Sequence, residues 1–129
     1  MTWQCDQMGH INSRHLYAAF DDATAVLFSL LGAGFAEARD SRFGWVDVHQ
    51  EIEFLREVRD GQAMTIRSCI EGLGRSSVSL RHELCTEGAA AAAARMRSKT
   101  VRFDLDRRAS APLDDAFRAR AATLLEMAQ

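Results

Sequence analysis

Residues 16–31 form the longest apolar segment of the chain, and their pattern is that of an amphipathic helix. Apolar side chains recur there at three- and four-residue steps, which places them on one helical face: Leu16, Phe20, Ala23, Leu27 and Leu30. The helical pattern begins at Ser13, and Gly32 and Gly34 end it. Because residues 25–31 are apolar nearly all round, we expect the end of this helix to be buried on several sides.

The segments that follow alternate between apolar and polar side chains, as strands with one buried face do. Residues 45–55, 63–71 and 76–85 show this period of two. We predict a fourth strand over residues 90–104, although the alanine run that starts it has the highest helix propensity. One face of the first strand is expected to carry its apolar side chains: Val46, Val48, Ile52 and Phe54. Successive strands joined by short turns predict an antiparallel meander.

The two ends of the chain complete the predicted fold. Residues 2–5 can supply only a short strand, and Pro112 is expected to open a C-terminal helix that packs on the outside or frays. The element order predicts an α+β fold in which a central helix is wrapped by a curled five-stranded antiparallel sheet. We expect one domain over residues 1–129, with residues 109–129 as a C-terminal helical extension. Pairing of exposed strand edges between subunits predicts a homodimer or a dimer-of-dimers tetramer.

Composition narrows the classes of function. The chain has 47% hydrophobic and 26% charged residues and a formal net charge of −2, so nothing attracts it overall to nucleic acid or to an anionic membrane. It has no segment resembling a signal peptide or a membrane span, and we expect a cytoplasmic protein. Its three cysteines (Cys5, Cys69 and Cys85) form no CxxC pair, and its four histidines lack metal-ligand spacing. No metal site is expected.

Chemically useful side chains are concentrated in residues 5–12, directly before the helix. Backbone N–H groups are unpaired at a helix N-terminus, and the helix dipole favours negative charge there, so this end could stabilise an oxyanion. Asp6 could then act as a base or a nucleophile. Alternatively, the segment is a strand-to-helix turn in which Asn12 or Ser13 caps the helix and Asp6 is solvated. The residues by themselves leave both interpretations open.

This segment resembles the signature of the hot-dog fold acyl-CoA thioesterases of the 4-hydroxybenzoyl-CoA thioesterase type, and it reads Asp6-Gln7-Met8-Gly9-His10-Ile11-Asn12. Weaker matches lie in residues 48–58 and 74–78, and the resemblance spans residues 3–106. Two departures stand out. The first strand is shorter than in the family, and Leu16 occupies the position of a common helix tyrosine, with Tyr17 beside it.

The resemblance implies hydrolysis of an acyl-CoA thioester to free CoA and a carboxylic acid, at a site between subunits. Asp6 falls on the position of the catalytic carboxylate, and the backbone N–H near Ser13 falls on that of the oxyanion donor. Gly9 would serve the tight turn, whereas His10 would orient substrate or water, or be bonded into the turn. Asn12 would cap the helix or fix the Asp6 loop.

The resemblance also places Arg75, Ser76 and Ser77 beside the CoA arm, although a polar turn between strands explains them equally well. The basic residues within 95–102 could meet the nucleotide phosphates or form a solvated strand face. No cofactor is implied beyond the CoA of the substrate itself. Two other functions stay open: a non-catalytic acyl-CoA or acyl-carrier binding module, and an enoyl-CoA hydratase or dehydratase relative.

Overall fold

A computed structural model describes residues 13–34, 41–58, 63–88 and 91–128. Its elements in chain order are α1 (Ser13–Leu30), β1 (Phe43–Phe54), β2 (Met64–Leu73), β3 (Ser77–Thr86), β4 (Ala94–Asp104), β5 (Ala109–Ser110) and α2 (Asp115–Ala128). The predicted helix and the four strands after it are confirmed in their order. The short strand predicted at residues 2–5 lies outside the described residues. Within the described ranges, no helix is long and apolar enough to cross a membrane.

The five strands form one antiparallel sheet in the order β1-β4-β3-β2, with β5 paired to the end of β4. β3 leaves β4 at the pair Ser77–Val101, and β5 then takes that side of β4 through the pair Phe103–Ser110. One helix against a five-stranded antiparallel sheet is the predicted α+β architecture. The fifth described strand comes from the segment that we expected to be a helical extension.

The buried face of α1 packs on the sheet in two clusters. Near the start of the helix, Leu16 and Phe20 pack with Leu84 of β3 and Met96 of β4. Near its end, a second cluster holds residues of α1, β2, β3 and the α2 region: Leu27, Phe28, Leu31, Ile70, Val78, Leu80, Leu113, Phe117 and Ala121. Each cluster joins one end of α1 to the sheet, which fixes the position of the helix.

The end of α1 is less enclosed than its sequence indicated. Val26 and Leu30 are 62% and 66% exposed, whereas Leu27 and Phe28 are buried. The expectation of burial on several sides is therefore wrong for this chain taken alone. The apolar sequence at this end extends beyond the single face that the sheet covers.

α2 differs from its prediction in both its start and its role. Pro112 precedes the helix, and Asp114 caps it, because the Oδ1 atom of Asp114 accepts a hydrogen bond from the N–H of Phe117 at 2.8 Å. Phe117 is 5% exposed and Ala121 is fully buried in the cluster at the end of α1. The helix therefore belongs to the core, and the expectation that it packs outside or frays is wrong.

The alanine run is not helical in its described part, and β4 begins at Ala94 rather than at residue 90. Ala92, Ala93 and Ala94 are all buried, and the carbonyl of Ala93 accepts hydrogen bonds from the N–H groups of Leu55 and Arg56. Small side chains let these backbones approach closely. This backbone pairing and burial override the helix propensity of alanine.

β1 does not have the single apolar face that was predicted. A bulge interrupts its pairing with β4 between Asp47 and His49, and an extra residue reverses the alternation of side chains beyond it. Val46, Val48 and Phe54 are 43%, 55% and 62% exposed. The predicted face therefore joined side chains that the bulge places on opposite faces.

Candidate active site

α1 begins at Ser13, directly after the segment that carries the predicted catalytic residues. Asp6, Gly9, His10 and Asn12 all lie outside the described residues. Ser13 is the first residue of the helix. The hypothesis that a backbone N–H of the helix start binds the oxyanion requires a residue at this position. The first turn contains no acidic side chain, so no carboxylate of the helix itself offsets the positive end of the dipole there.

Tyr17 lies on the next turn of α1 and is 41% exposed, whereas its neighbour Leu16 is 2% exposed and packs in the core. The Tyr17 hydroxyl donates a hydrogen bond to Oε1 of Gln50 on β1 at 2.9 Å. The side chain of Leu16, which the sequence resemblance aligned with a common helix tyrosine, faces the sheet. The exposed phenol beside the helix start is therefore supplied one residue later.

The Tyr17–Gln50 contact continues into a longer polar network along the sheet. Nε2 of Gln50 donates to Oδ2 of Asp47 at 3.3 Å, and the hydroxyl of Thr100 donates to Oδ1 of Asp47 at 2.8 Å. Thr100 is 2% exposed, so Asp47 is anchored to the buried layer of β4. We refer to Tyr17, Gln50, Asp47 and Thr100 as the Asp47 network.

The β1 bulge makes the Asp47 network possible. Residues three positions apart on a regular strand point to opposite faces, so Asp47 and Gln50 would be separated by the sheet. In the observed register, Asp47 pairs with Thr100 and Gln50 pairs with Ser98, two residues apart on β4. The extra residue of β1 between these pairs brings both side chains to the helix side.

The predicted CoA-binding residues Arg75, Ser76 and Ser77 lie at the turn between β2 and β3. The carbonyl of Arg75 accepts hydrogen bonds from the N–H of Leu113 at 2.9 Å and from the guanidinium of Arg118 at 3.0 Å. The adjoining strand residue, Val78, packs in the cluster at the end of α1. Within one chain, this turn and the start of α1 therefore lie at opposite ends of the helix.

The basic stretch within residues 95–102 is largely engaged in internal contacts. Arg95 and Arg97 form ion pairs of 3.2 to 3.7 Å with glutamates on the other strands of the sheet: Glu53, Glu71 and Glu83. Arg102 donates to the carbonyl of Pro112 at 2.8 Å, and Lys99 is exposed. Arg95, Arg97 and Lys99 lie on the face of the sheet opposite α1, where the two arginines balance acidic side chains, whereas Arg102 lies on the α1 face, beside Trp45.

A buried hydrogen-bonded histidine was given no role by the sequence reasoning. His82 is fully buried on β3, with Nε2 2.8 Å from the hydroxyl of Thr24 and Nδ1 2.6 Å from the hydroxyl of Ser68. Thr24 already donates its hydroxyl proton to the carbonyl of Phe20, so it must accept from Nε2–H. In a neutral imidazole, Nδ1 is then the acceptor of the Ser68 proton.

Burial lowers the pKa of His82 to about 4, which agrees with this neutral tautomer. In the alternating segment 76–85, His82 falls in step with the apolar residues Val78, Leu80 and Leu84, so the sequence contained a signal that its side chain faces inward. Its two partners lie 58 and 14 residues away, so their contacts depend on the tertiary structure.

Two recesses lie elsewhere in the described part of the chain. One, of about 210 Å³, lies at the end of α1 and is bordered by Leu31, Trp45 and Phe117 among others. The other, of about 480 Å³, follows the β2 edge and is bordered by Leu27, Ser68 and Leu124 among others. The described ranges contain no group of three histidine, cysteine or acidic side chains that could hold a metal ion.

Residues 1–121 match the thioesterase-like superfamily. The betainyl-CoA thioesterase of Pseudomonas aeruginosa is 26% identical over 121 residues, which cover 94% of this chain and 76% of that protein. A Staphylococcus aureus protein solved in complex with CoA has a TM-score of 0.90 at 15% identity, over 98% of this chain and 79% of that one. A Thermus thermophilus thioesterase solved with coenzyme A and Zn has a TM-score of 0.78 at 24% identity, over 98% and 89% of the two chains.

A long helix packed against an open five-stranded antiparallel sheet, together with the match to solved thioesterase structures, identifies the hot-dog fold. Because the match to the family covers residues 1–121 of 129, the chain belongs to the thioesterase-like superfamily. Its enzyme class is thioester hydrolase.

Proposed function

We propose that this protein hydrolyses an acyl-CoA thioester to free CoA and a carboxylic acid. The observation that carries the proposal is the start of α1 at Ser13, directly after the Asp6–Asn12 segment, in a chain of the thioesterase-like superfamily. The betainyl-CoA thioesterase relative and the CoA complexes of two fold neighbours support a CoA thioester as the substrate.

In this mechanism Asp6 attacks the thioester carbonyl or activates a water that does so. A thiolate is a good leaving group, so the main requirement is to stabilise the tetrahedral oxyanion. The backbone N–H at Ser13 supplies a donor for it, and the dipole of α1 adds positive potential. Gly9 and Asn12 shape the turn, and His10 orients substrate or water.

The turn at Arg75, Ser76 and Ser77 can contact CoA bound at the start of α1 in only two ways. Either CoA reaches along the helix, or a second subunit brings its own turn to that end. The 18 residues of α1 span about 27 Å, which separates this turn from the helix start within one chain. We therefore propose a homodimer or a dimer of dimers, in which one subunit brings this turn to the α1 start of another. No metal or further cofactor is required by this chemistry.

Release of free thiol from acetyl-, octanoyl-, benzoyl- and betainyl-CoA tests the activity. We expect Asp6→Asn to lower kcat by about 100-fold or more, because removal of a general base or nucleophile costs at least that factor. The control is Glu87→Gln, which changes an exposed carboxylate in the turn after β3 and should leave kcat unchanged.

Full activity of Asp6→Asn would remove Asp6 from the mechanism. Thermal stabilisation by CoA without turnover of any thioester would instead identify a binding module. Hydration of an enoyl-CoA would favour the hydratase alternative.

A further inference from the structure

The hydrogen atoms of the Asp47 network have one consistent arrangement. A carboxylate only accepts hydrogen bonds, so Asp47 must face the amide nitrogen of Gln50. Oε1 of Gln50 is then turned to Tyr17, whose single hydroxyl proton it accepts. Asp47 prevents the Gln50 amide from turning over, because a reversed amide would set two acceptors against each other, and the hydroxyl of Thr100 fixes Asp47 in turn.

This arrangement leaves two groups without a partner inside the network. The Gln50 amide nitrogen carries two protons, of which Asp47 takes one, so one N–H donor is left over. The Tyr17 oxygen has donated its proton, so its lone pairs can only accept. Tyr17 is 41% exposed and Gln50 is half-buried, so a ligand could reach this donor and this acceptor.

The position of the Gln50 N–H and the Tyr17 oxygen relative to the start of α1 indicates which part of a ligand they would contact. Tyr17 follows Ser13 by four residues, so it lies on the same side of α1, about 6 Å along the axis from the proposed oxyanion site. In a CoA thioester, two methylene groups separate the sulfur from the first amide nitrogen of the pantetheine arm. If the arm runs from the reacting carbonyl along α1, its first amide therefore lies about as far from the helix start as Tyr17 does.

We propose that Gln50 and Tyr17 bind the amide groups of the pantetheine arm of the substrate. The free N–H of Gln50 donates to an amide carbonyl, and the Tyr17 oxygen accepts from an amide N–H. Asp47 and Thr100 are positioning residues that act through Gln50. This subsite rests on the proposed thioesterase function, but its binding contribution is measurable separately.

The test compares two thioesters of the acyl group that the wild type hydrolyses fastest. The N-acetylcysteamine thioester keeps the first pantetheine amide, and the S-pentyl thioester lacks it. We expect Gln50→Leu to lower kcat/KM for the amide-bearing thioester by about 10-fold, the usual effect of one lost hydrogen bond. The change for the S-pentyl thioester should be less than about twofold.

Two further variants separate positioning from general damage. Asp47→Asn lets the Gln50 amide turn over, so it should give a smaller loss, confined to the amide-bearing thioester and expressed in KM. Glu51→Gln, an exposed change on the opposite face of β1, should leave kcat/KM for both thioesters unchanged. A merely structural role of the network would lower the rates with both thioesters equally.

Equal losses on the two thioesters in Gln50→Leu would overturn the subsite while leaving the thioesterase proposal intact. If the wild type hydrolyses no thioester, calorimetry with free CoA decides the subsite. An affinity that falls about 10-fold in Gln50→Leu would then support the subsite without catalysis. Equal affinity, or no CoA binding at all, would overturn it.

Discussion

At the scale of single residues, the structure joins polar side chains that no local pattern connects. His82 is held by one residue of the helix and one of the neighbouring strand, and its tautomer follows from proton counting. Such a buried imidazole resists protonation because no opposite charge compensates for the loss of water. The stability of the fold should therefore depend on pH through this residue.

We expect the free energy of unfolding to fall as the pH drops from about 6.5 to about 4. The unfolded imidazole takes up a proton near its ordinary pKa of 6.5, whereas the pKa in the folded protein is lowered to about 4. The stabilisation that the neutral imidazole provides is fully present above pH 6.5, and its loss should amount to about 3 kcal/mol by pH 4. Chemical denaturation at pH 7 and pH 4 measures it.

The matched variant is His82→Gln, which keeps a donor and an acceptor but does not titrate. Other groups also respond to acid. Burial opposes the charged form of Asp104, yet hydrogen bonds from Arg107, Arg42 and Asp106 hold the pKa of that carboxyl below its ordinary value. Because this effect is common to both proteins, the difference between them isolates His82. An equal fall in stability in wild type and variant would contradict the assignment.

At the scale of elements, both ends of α1 could be predicted from local sequence signals. Its start at Ser13 and its end before Gly32 were both predicted, because capping and backbone conformation are local properties. Gly32 has a φ of +74°, its N–H donates to the carbonyl of Ser29, and the N–H of Ala33 donates to the carbonyl of Phe28. This pair of hydrogen bonds is the Schellman motif that closes a helix.

We expect Gly32→Ala to lower the free energy of unfolding by more than about 1 kcal/mol, the approximate cost of a left-handed conformation for alanine. A Cβ atom there would also displace the guanidinium of Arg120, which donates to the carbonyl of Leu31 at 3.2 Å. The control is Gly88→Ala, which has a similar φ of +77° but no neighbouring atom within 4 Å. Equal losses in the two variants, measured by denaturation, would exclude a part for Arg120.

The wrong predictions for the two strands β1 and β4 share a cause. The bulge of β1 and the start of β4 at Ala94 are set by pairing with a neighbouring strand. The bulge is hidden in the sequence because the apolar residues predicted to share one face of β1 stay at even positions on both sides of it. The same bulge creates the Asp47–Gln50 contact, so that part of the candidate site was also invisible in the sequence.

At the scale of the whole molecule, α2 completes the core. Trp45 of β1 and Phe28 of α1 have ring centroids 4.9 Å apart, and Phe117 of α2 lies 5.0 Å from Trp45. The side chains of a strand and two helices thus meet at one place. The C-terminal segment is therefore required for the packing at the end of α1.

Removal of the Phe117 ring should destabilise the fold. We expect Phe117→Ala to lower the free energy of unfolding by about 3 to 5 kcal/mol, because it leaves a cavity at a residue that is 5% exposed. Ala119→Ser, at an exposed position of the same helix, should cost less than about 0.5 kcal/mol. A small loss for Phe117→Ala in urea denaturation would mean that α2 packs only loosely on the core.

The sequence alone determined the class of the fold, the limits of α1, the inward row of β3 and the candidate catalytic segment before Ser13. These features depend on periodicity, capping residues and a short contiguous motif, all of which are local. The tertiary structure decided the bulge of β1, the burial of α2, the His82 hydrogen bonds and the Asp47 network. Each of these depends on which residues of distant segments lie opposite one another, and only sheet register and helix docking set that.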